Sequence, residues 1–204
     1  MFGFSKEEVV LLRSLNTPRK IQTFLNTIPI NFEPEGDTCL SPQMVLREKR
    51  AHCIEGALLA AVALRLQGFP PLIVDLESSK DDFDHVIAVF QHKGHWGAIS
   101  KTNHAVLRYR DPIYNSVREL VMSYFHEYFD EKGRKTLRCY TEPVDLSRFD
   151  ERGWMTAKEN VWYIPEHLVE VPHLPLLTRS QIKLLKKPDL VEMKYGEIVE
   201  WKKE

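Results

Sequence analysis

Between Cys53 and Leu66 apolar residues follow one another almost without interruption, with Glu55 and Arg65 the only charges. A helix apolar on nearly every face is a buried, central one. Gly68, followed by Pro70-Pro71, ends it. Shorter elements surround it. Ser5-Lys6-Glu7-Glu8 is a capping box ahead of Val9, Val10, Leu11, Leu12 and Leu15. Thr17-Pro18 and Ser41-Pro42 each pair an N-cap residue with proline at the first helical position. The first opens a helix with Ile21, Phe24, Leu25 and Ile28 at helical spacing, and the second a helix running to Arg50. Then the period changes. Residues 71–76 read as a buried strand, and residues 85–90, apolar on both faces, as a central one. Lys93-Gly94 turns into a third strand at 95–100, and residues 106–110 form a fourth that ends at Asp111-Pro112. Ser116-Val117-Arg118-Glu119 is a further capping box, with Leu120, Val121, Tyr124, Phe125 and Tyr128 behind it at helical spacing.

Beyond Gly133 the pattern weakens. Residues 136–140 and 160–164 are strand-like, 166–177 irregular and 180–186 a short basic helix, while 191–201 suggest a hairpin turning at Tyr195-Gly196. The expected class is α+β: N-terminal helices, one of them central and buried, packed on a mostly antiparallel sheet. Residues 1–132 would form the core, and residues 133–204 a C-terminal extension packed on the same domain. Apolar residues make up 43% and charged residues 28%, ordinary for a globular chain, and the net charge of -1 gives no field to attract nucleic acid or anionic lipid. No apolar run is long enough for a membrane span, and residues 1–8 lack the pattern of a signal peptide. Three cysteines, at 39, 53 and 139, are not a disulfide framework. The expectation is a reduced, cytoplasmic chain with no nucleic-acid and no membrane partner, its oligomeric state unspecified.

The candidate chemistry begins at Cys53. A thiol at a helix start lies among free N–H groups and the positive dipole end, which stabilise a thiolate. Arg47, Lys49 and Arg50 just before it add positive potential. His85, at the start of the central strand, is the candidate base, and Asp111, at the end of a later strand, the candidate orienter. A lone cysteine on an alanine-rich helix is more often core packing, and Cys39 and Cys139 are read as structural. Metal is the sharper rival, with His52, Cys53 and His85 or the His92-x-x-His95 pair as ligands. No Cys-x-x-Cys or His-x-x-x-His unit supports it. No cofactor and no metal is expected.

The order Cys53, His85, Asp111 on a helix and then a sheet resembles the transglutaminase-like cysteine enzyme superfamily, whose members share a papain-like Cys-His-Asp arrangement. Cys53-Ile54-Glu55-Gly56-Ala57 with Arg65-Leu66-Gln67-Gly68-Phe69-Pro70 is similar to its cysteine helix and the segment after it. Asp84-His85-Val86 with Gly94-His95-Trp96 is similar to its histidine strand and following turn, and Asp111-Pro112 to its aspartate-proline. The likeness spans about residues 41–114. Ile87 stands where the family usually has an aromatic, and the His85–Asp111 interval is long, so Asn103 is kept as a reserve orienter. The resemblance implies a thiol enzyme acting on an amide or peptide acyl group through a thioester. The backbone N–H of Cys53 is one oxyanion donor and Gln43 a candidate second. Its partner would be a peptide, protein or small amide substrate. A cytoplasmic chain without a pro-segment favours hydrolysis over transfer to an amine. The alternative is a catalytically inactive binding module or accessory subunit on the same fold.

Overall fold

The computed structural model describes residues 2–202. Ser5, Thr17 and Ser41 each accept a hydrogen bond from the backbone N–H three residues on. They start α1 (Lys6–Ser14), α2 (Pro18–Thr27) and α3 (Pro42–Glu48) where the caps predict. All three pack on α4 (Cys53–Leu66), which is buried from Ile54 to Leu64. A fully buried leucine contributes about 1.5–3 kcal/mol over an exposed one. Leu58, Leu59 and Leu64 therefore anchor the helix, and with it the position of Cys53.

The strands are β1 (Leu72–Glu77), β2 (His85–His92), β3 (His95–Ile99), β4 (Arg110–Tyr114), β5 (Cys139–Thr141), β6 (Val144–Asp145) and β7 (His173–Pro175). They form one open sheet in the order β4-β3-β2-β1-β5-β7, with β6 pairing the far end of β1, and every ladder is antiparallel. Alternate residues divide between two cores. Ile73, Val86, Ala88, Phe90 and Ile99 face α4, while Val74, Leu76, Ile87, Val89 and Ala98 lie against α5 (Val117–Met122), Tyr124 and Tyr128. Coverage on both faces is why β2 reads as a continuous apolar run.

The C-terminal third departs most from expectation. Residues 144–168 pack on the α4 side with Trp154 and Ile164 fully buried, and the chain after Gly133 supplies β5, β6 and β7. The expected strand at 160–164 gives way to α6 (Tyr163–Glu170), and β7 lies inside the stretch read as irregular. After α7 (Arg179–Lys183), residues 191–201 form no hairpin. Asp189 and Glu192 cap α8 (Leu190–Gly196) with a box that the weak apolar periodicity hid. The fourth strand also moves, to Arg110–Tyr114, running through Pro112 rather than stopping before it. An edge strand tolerates a residue without an N–H. No helix among the described residues is long and apolar enough to cross a membrane.

Candidate active site

Cys53 is the first residue of α4 and His52 its N-cap, while His85 is the first residue of β2. The end of the helix and the end of the central strand meet, and the imidazoles of His52 and His85 both lie close enough to Cys53 to stabilise its thiolate. Burial alone would raise the thiol pKa. The two imidazoles and their charges outweigh it and bring the thiol down to about 5. Burial works against a charged His52 as well, but Cys53 beside it and the charge of Glu55 push that ring up to about 9. The residue Cys53 as a whole is half-buried.

Each imidazole is oriented by its far nitrogen. His85 Nε2 lies 2.8 Å from Ser100 Oγ, and Ser100 Oγ donates to the Leu107 carbonyl at 2.5 Å. The hydroxyl proton being committed to that carbonyl, Nε2 carries the hydrogen and Nδ1 is the nitrogen left for the sulfur. Ser100 is itself pinned. Its N–H donates to Gln22 Oε1 at 2.9 Å, and Gln22 Nε2 donates to its carbonyl at 2.8 Å, extending the edge of β3 with a side chain from α2. His52 Nε2 donates to the Thr38 carbonyl at 3.0 Å. The buried Glu55 carboxylate accepts from Thr38 Oγ1 at 2.7 Å, Leu40 N–H at 2.9 Å and His52 N–H at 3.0 Å, which fixes the loop on the first turn of α4.

The other expected site residues lie elsewhere. Asp111 is exposed on the edge strand and shares a shallow pocket of about 290 Å³ with His92 and Tyr109. His92 and His85 are the two ends of β2, about 23 Å apart at roughly 3.3 Å per residue. Asp111 therefore does not meet His85, and the side chain that meets His85 Nε2 is Ser100. The amide of Asn103 is spent on the backbone of Trp201, donating to its carbonyl at 3.0 Å and accepting from its N–H at 2.9 Å. Gln43 donates to Glu8 at 2.7 Å, so its amide is engaged away from any oxyanion. Arg47 pairs with Glu8 and Arg50 with Glu48, so the positive charge beside the thiol comes from imidazole and not from those arginines. His92 and His95 face each other across the β2–β3 hairpin, and among the described residues no group of three His, Cys, Asp or Glu is placed to hold a metal. Cys39 is buried and pushed up to about 12, the behaviour of a packed thiol.

Sequence reasoning missed three residues here. His52 was visible beside Cys53, but an imidazole is a poor N-cap by propensity and gave no signal of its role. Ser100 closes the predicted third strand, and that position gives no signal of its contact with His85. Asp75 on β1 is hydrogen-bonded to His173 on β7 at 3.3 Å, and burial pushes its carboxyl up to about 6.

A groove of about 400 Å³ runs up to His85 over the apolar surface of Val106, Leu107, Tyr128 and Phe129. Cys53 is not part of its wall. Asp82, Asp84, Glu127, Asp130, Glu131 and Glu197 line it, and among the described residues no lysine or arginine does. One side comes from the C-terminal segment, held to the 103–105 loop by Ala105 N–H to Ile198 O at 2.9 Å and Glu200 N–H to Asn103 O at 2.9 Å. No protein-family model and no curated protein sequence matches this chain.

Proposed function

We propose that the chain is a thiol enzyme of the transglutaminase-like kind that transfers an acyl group from an amide, peptide or ester through a thioester on Cys53. The observation that carries this reading is the pair of imidazoles set beside a helix-start cysteine. Cys53 Sγ attacks the carbonyl carbon, and the carbonyl π pair moves to oxygen near the free N–H groups of the first helical turn. Collapse breaks the C–N bond, and the leaving amine takes a proton from His85. Water then adds to the thioester and gives a proton back to His85, and the thiolate leaves. An amine in place of water gives acyl transfer.

Alkylation by iodoacetamide against pH, with mass spectrometry of the three cysteines, tests the reading. Because the folded thiol lies below its ordinary value, reactivity of Cys53 should persist as pH falls through 7 and disappear only through about 5. An ordinary thiol loses it near 8.5. Alkylation of Cys53 with a midpoint near 8.5 would sink the enzyme. The carboxylate-lined groove adds a second expectation. Acylation by a cationic p-nitrophenyl ester should exceed that by its anionic counterpart at low salt, and the ratio should shrink as salt is added. Equal rates would remove the groove from the substrate path.

One observation favours a different reading, a non-catalytic module that binds a cationic ligand: the groove stops at His85 and does not take in Cys53. The alkylation profile separates the two, since a module has no use for a thiolate.

A further inference from the structure

We infer that His52 holds the Cys53 thiolate as a permanent cation, while His85 alone carries the proton that moves during acyl transfer. This division rests on the thiol-enzyme reading above and assigns its two histidines different tasks.

The surroundings of the two rings carry the argument. His52 Nε2 points into oxygens: the Thr38 carbonyl at 3.0 Å, Glu55 Oε1 at 3.4 Å and Glu33 Oε1 at 3.5 Å. A carbonyl can only accept, so this nitrogen carries a hydrogen, and Nδ1 is the one available to the sulfur. With both nitrogens protonated, the ring bridges a thiolate and two carboxylates, which is the arrangement that favours a charged imidazole. His85 has a neutral environment at its far nitrogen, the Ser100 hydroxyl. It also lines the groove, which His52 does not. The ring that faces arriving substrate is the one suited to passing a proton to it. The ring behind the sulfur is the one suited to staying charged.

Glu55 comes from α4 itself, and Glu33 and the Thr38 carbonyl from the preceding loop. Asp75 on β1, Cys39 and Tyr128 interact electrostatically with Cys53 from the other sides, and His85 touches it from β2. Glu33 and Glu55 are the carboxylates that reach the His52 ring within 4 Å. A sequence that places an imidazole as N-cap of the nucleophile's own helix builds the ion pair locally. It does not wait for the sheet to deliver one.

The experiment compares wild type with His52→Gln, Glu33→Gln and His85→Gln, reading two quantities: the pH midpoint of Cys53 alkylation, and the rate at which the acyl-enzyme formed with p-nitrophenyl acetate is hydrolysed. His52→Gln should raise the midpoint by about two pH units, roughly a hundredfold loss of thiolate at a pH below both midpoints. Glu33→Gln leaves His52 charged at pH 5, so the Cys53 midpoint should not rise. A separate nitrogen NMR titration should instead show the His52 ring, still charged at pH 7, losing its proton about half a unit lower than in wild type, which keeps the test open if the first variant does not fold. His85→Gln should raise the midpoint by less than His52→Gln does, since His85 also lowers the thiol, and should slow deacylation by roughly a hundredfold. A midpoint that moves more in His85→Gln than in His52→Gln, or a His52 ring that is neutral at pH 7, overturns the division while leaving the thiol enzyme in place. A wild-type midpoint near 8.5 overturns both.

Discussion

Gly56→Ala is expected to lower the chain's unfolding free energy by about 3 kcal/mol, at the upper end of what overpacking costs. Gly56 lies on the first turn of α4, one turn from Cys53, with no side chain of its own between the helix and Lys101. A Cβ there would overlap Lys101 Cβ and stand 2.9 Å from its Cγ. The lysine cannot swing aside. It is 1% exposed, and its Nζ donates to the carbonyls of Leu25 and Ile28 at the end of α2. Glycine to alanine at an exposed helical site stabilises by up to about 1 kcal/mol, so the sign of the change reports whether the contact or the propensity wins. The urea midpoint should fall with an unchanged slope, and Cys53 should alkylate more slowly at pH 6, because α4 can relieve the clash only by moving the turn that carries the thiol. A midpoint at or above wild type would mean that Lys101 yields and that the approach of α4 to residues 100–101 is not rigid.

That close approach explains which parts of the site were legible in the sequence. The cysteine helix was plain, since an apolar run from Ile54 to Leu64 can only be a buried helix, and its first residue follows from where the run starts. His85 was plain for the same reason: it begins the run that β2 buries on both faces. The third member was not, because an orienter is found by register, and register depends on the turn between strands. A strand at 106–110 puts the chain in the wrong phase. The ladder begins at Arg110, residues 106–109 form a loop with Leu107 at φ +59°, and Asp111 lands at the far end of β2 from His85. Ser100 is recruited through contacts with Gln22 and Leu107 that bridge 78 and 7 residues, and the longer of these has no local signature. The C-terminal extension was misread for a related reason. Its elements are short, and α8 keeps Leu190, Val191 and Tyr195 exposed, so apolar periodicity carries little information there and the Asp189–Glu192 cap is the better guide.

If Ser100 stands where the family resemblance placed Asp111, the two substitutions should differ sharply. Ser100→Ala removes the acceptor of His85 Nε2–H and the donor to the Leu107 carbonyl, both in a buried setting. Each group left unpaired costs about 1–3 kcal/mol, so the unfolding free energy should fall by roughly 2 kcal/mol after relaxation. The larger effect is on the imidazole, which loses the hydroxyl that sets its tautomer and its ring plane. Hydrolysis of the p-nitrophenyl acetate acyl-enzyme should slow by roughly 10- to 100-fold, the scale on which removing an orienting partner acts. Ser100→Thr, which keeps the hydroxyl, should restore most of it. In a Cys53→Ala background at pH 8.5, nitrogen NMR should show His85 as the Nε2–H tautomer with Ser100 present and as a mixture with alanine in its place. Asp111→Asn should change none of these by more than about twofold, because a solvated carboxylate some 20 Å away contributes almost nothing through water and salt. The opposite pattern, a slow Asp111→Asn and an unaffected Ser100→Ala, would require β4 to slide along β3 before catalysis. Pro112 and the bulge between Trp96 and Ala98 would then be the place where that movement begins.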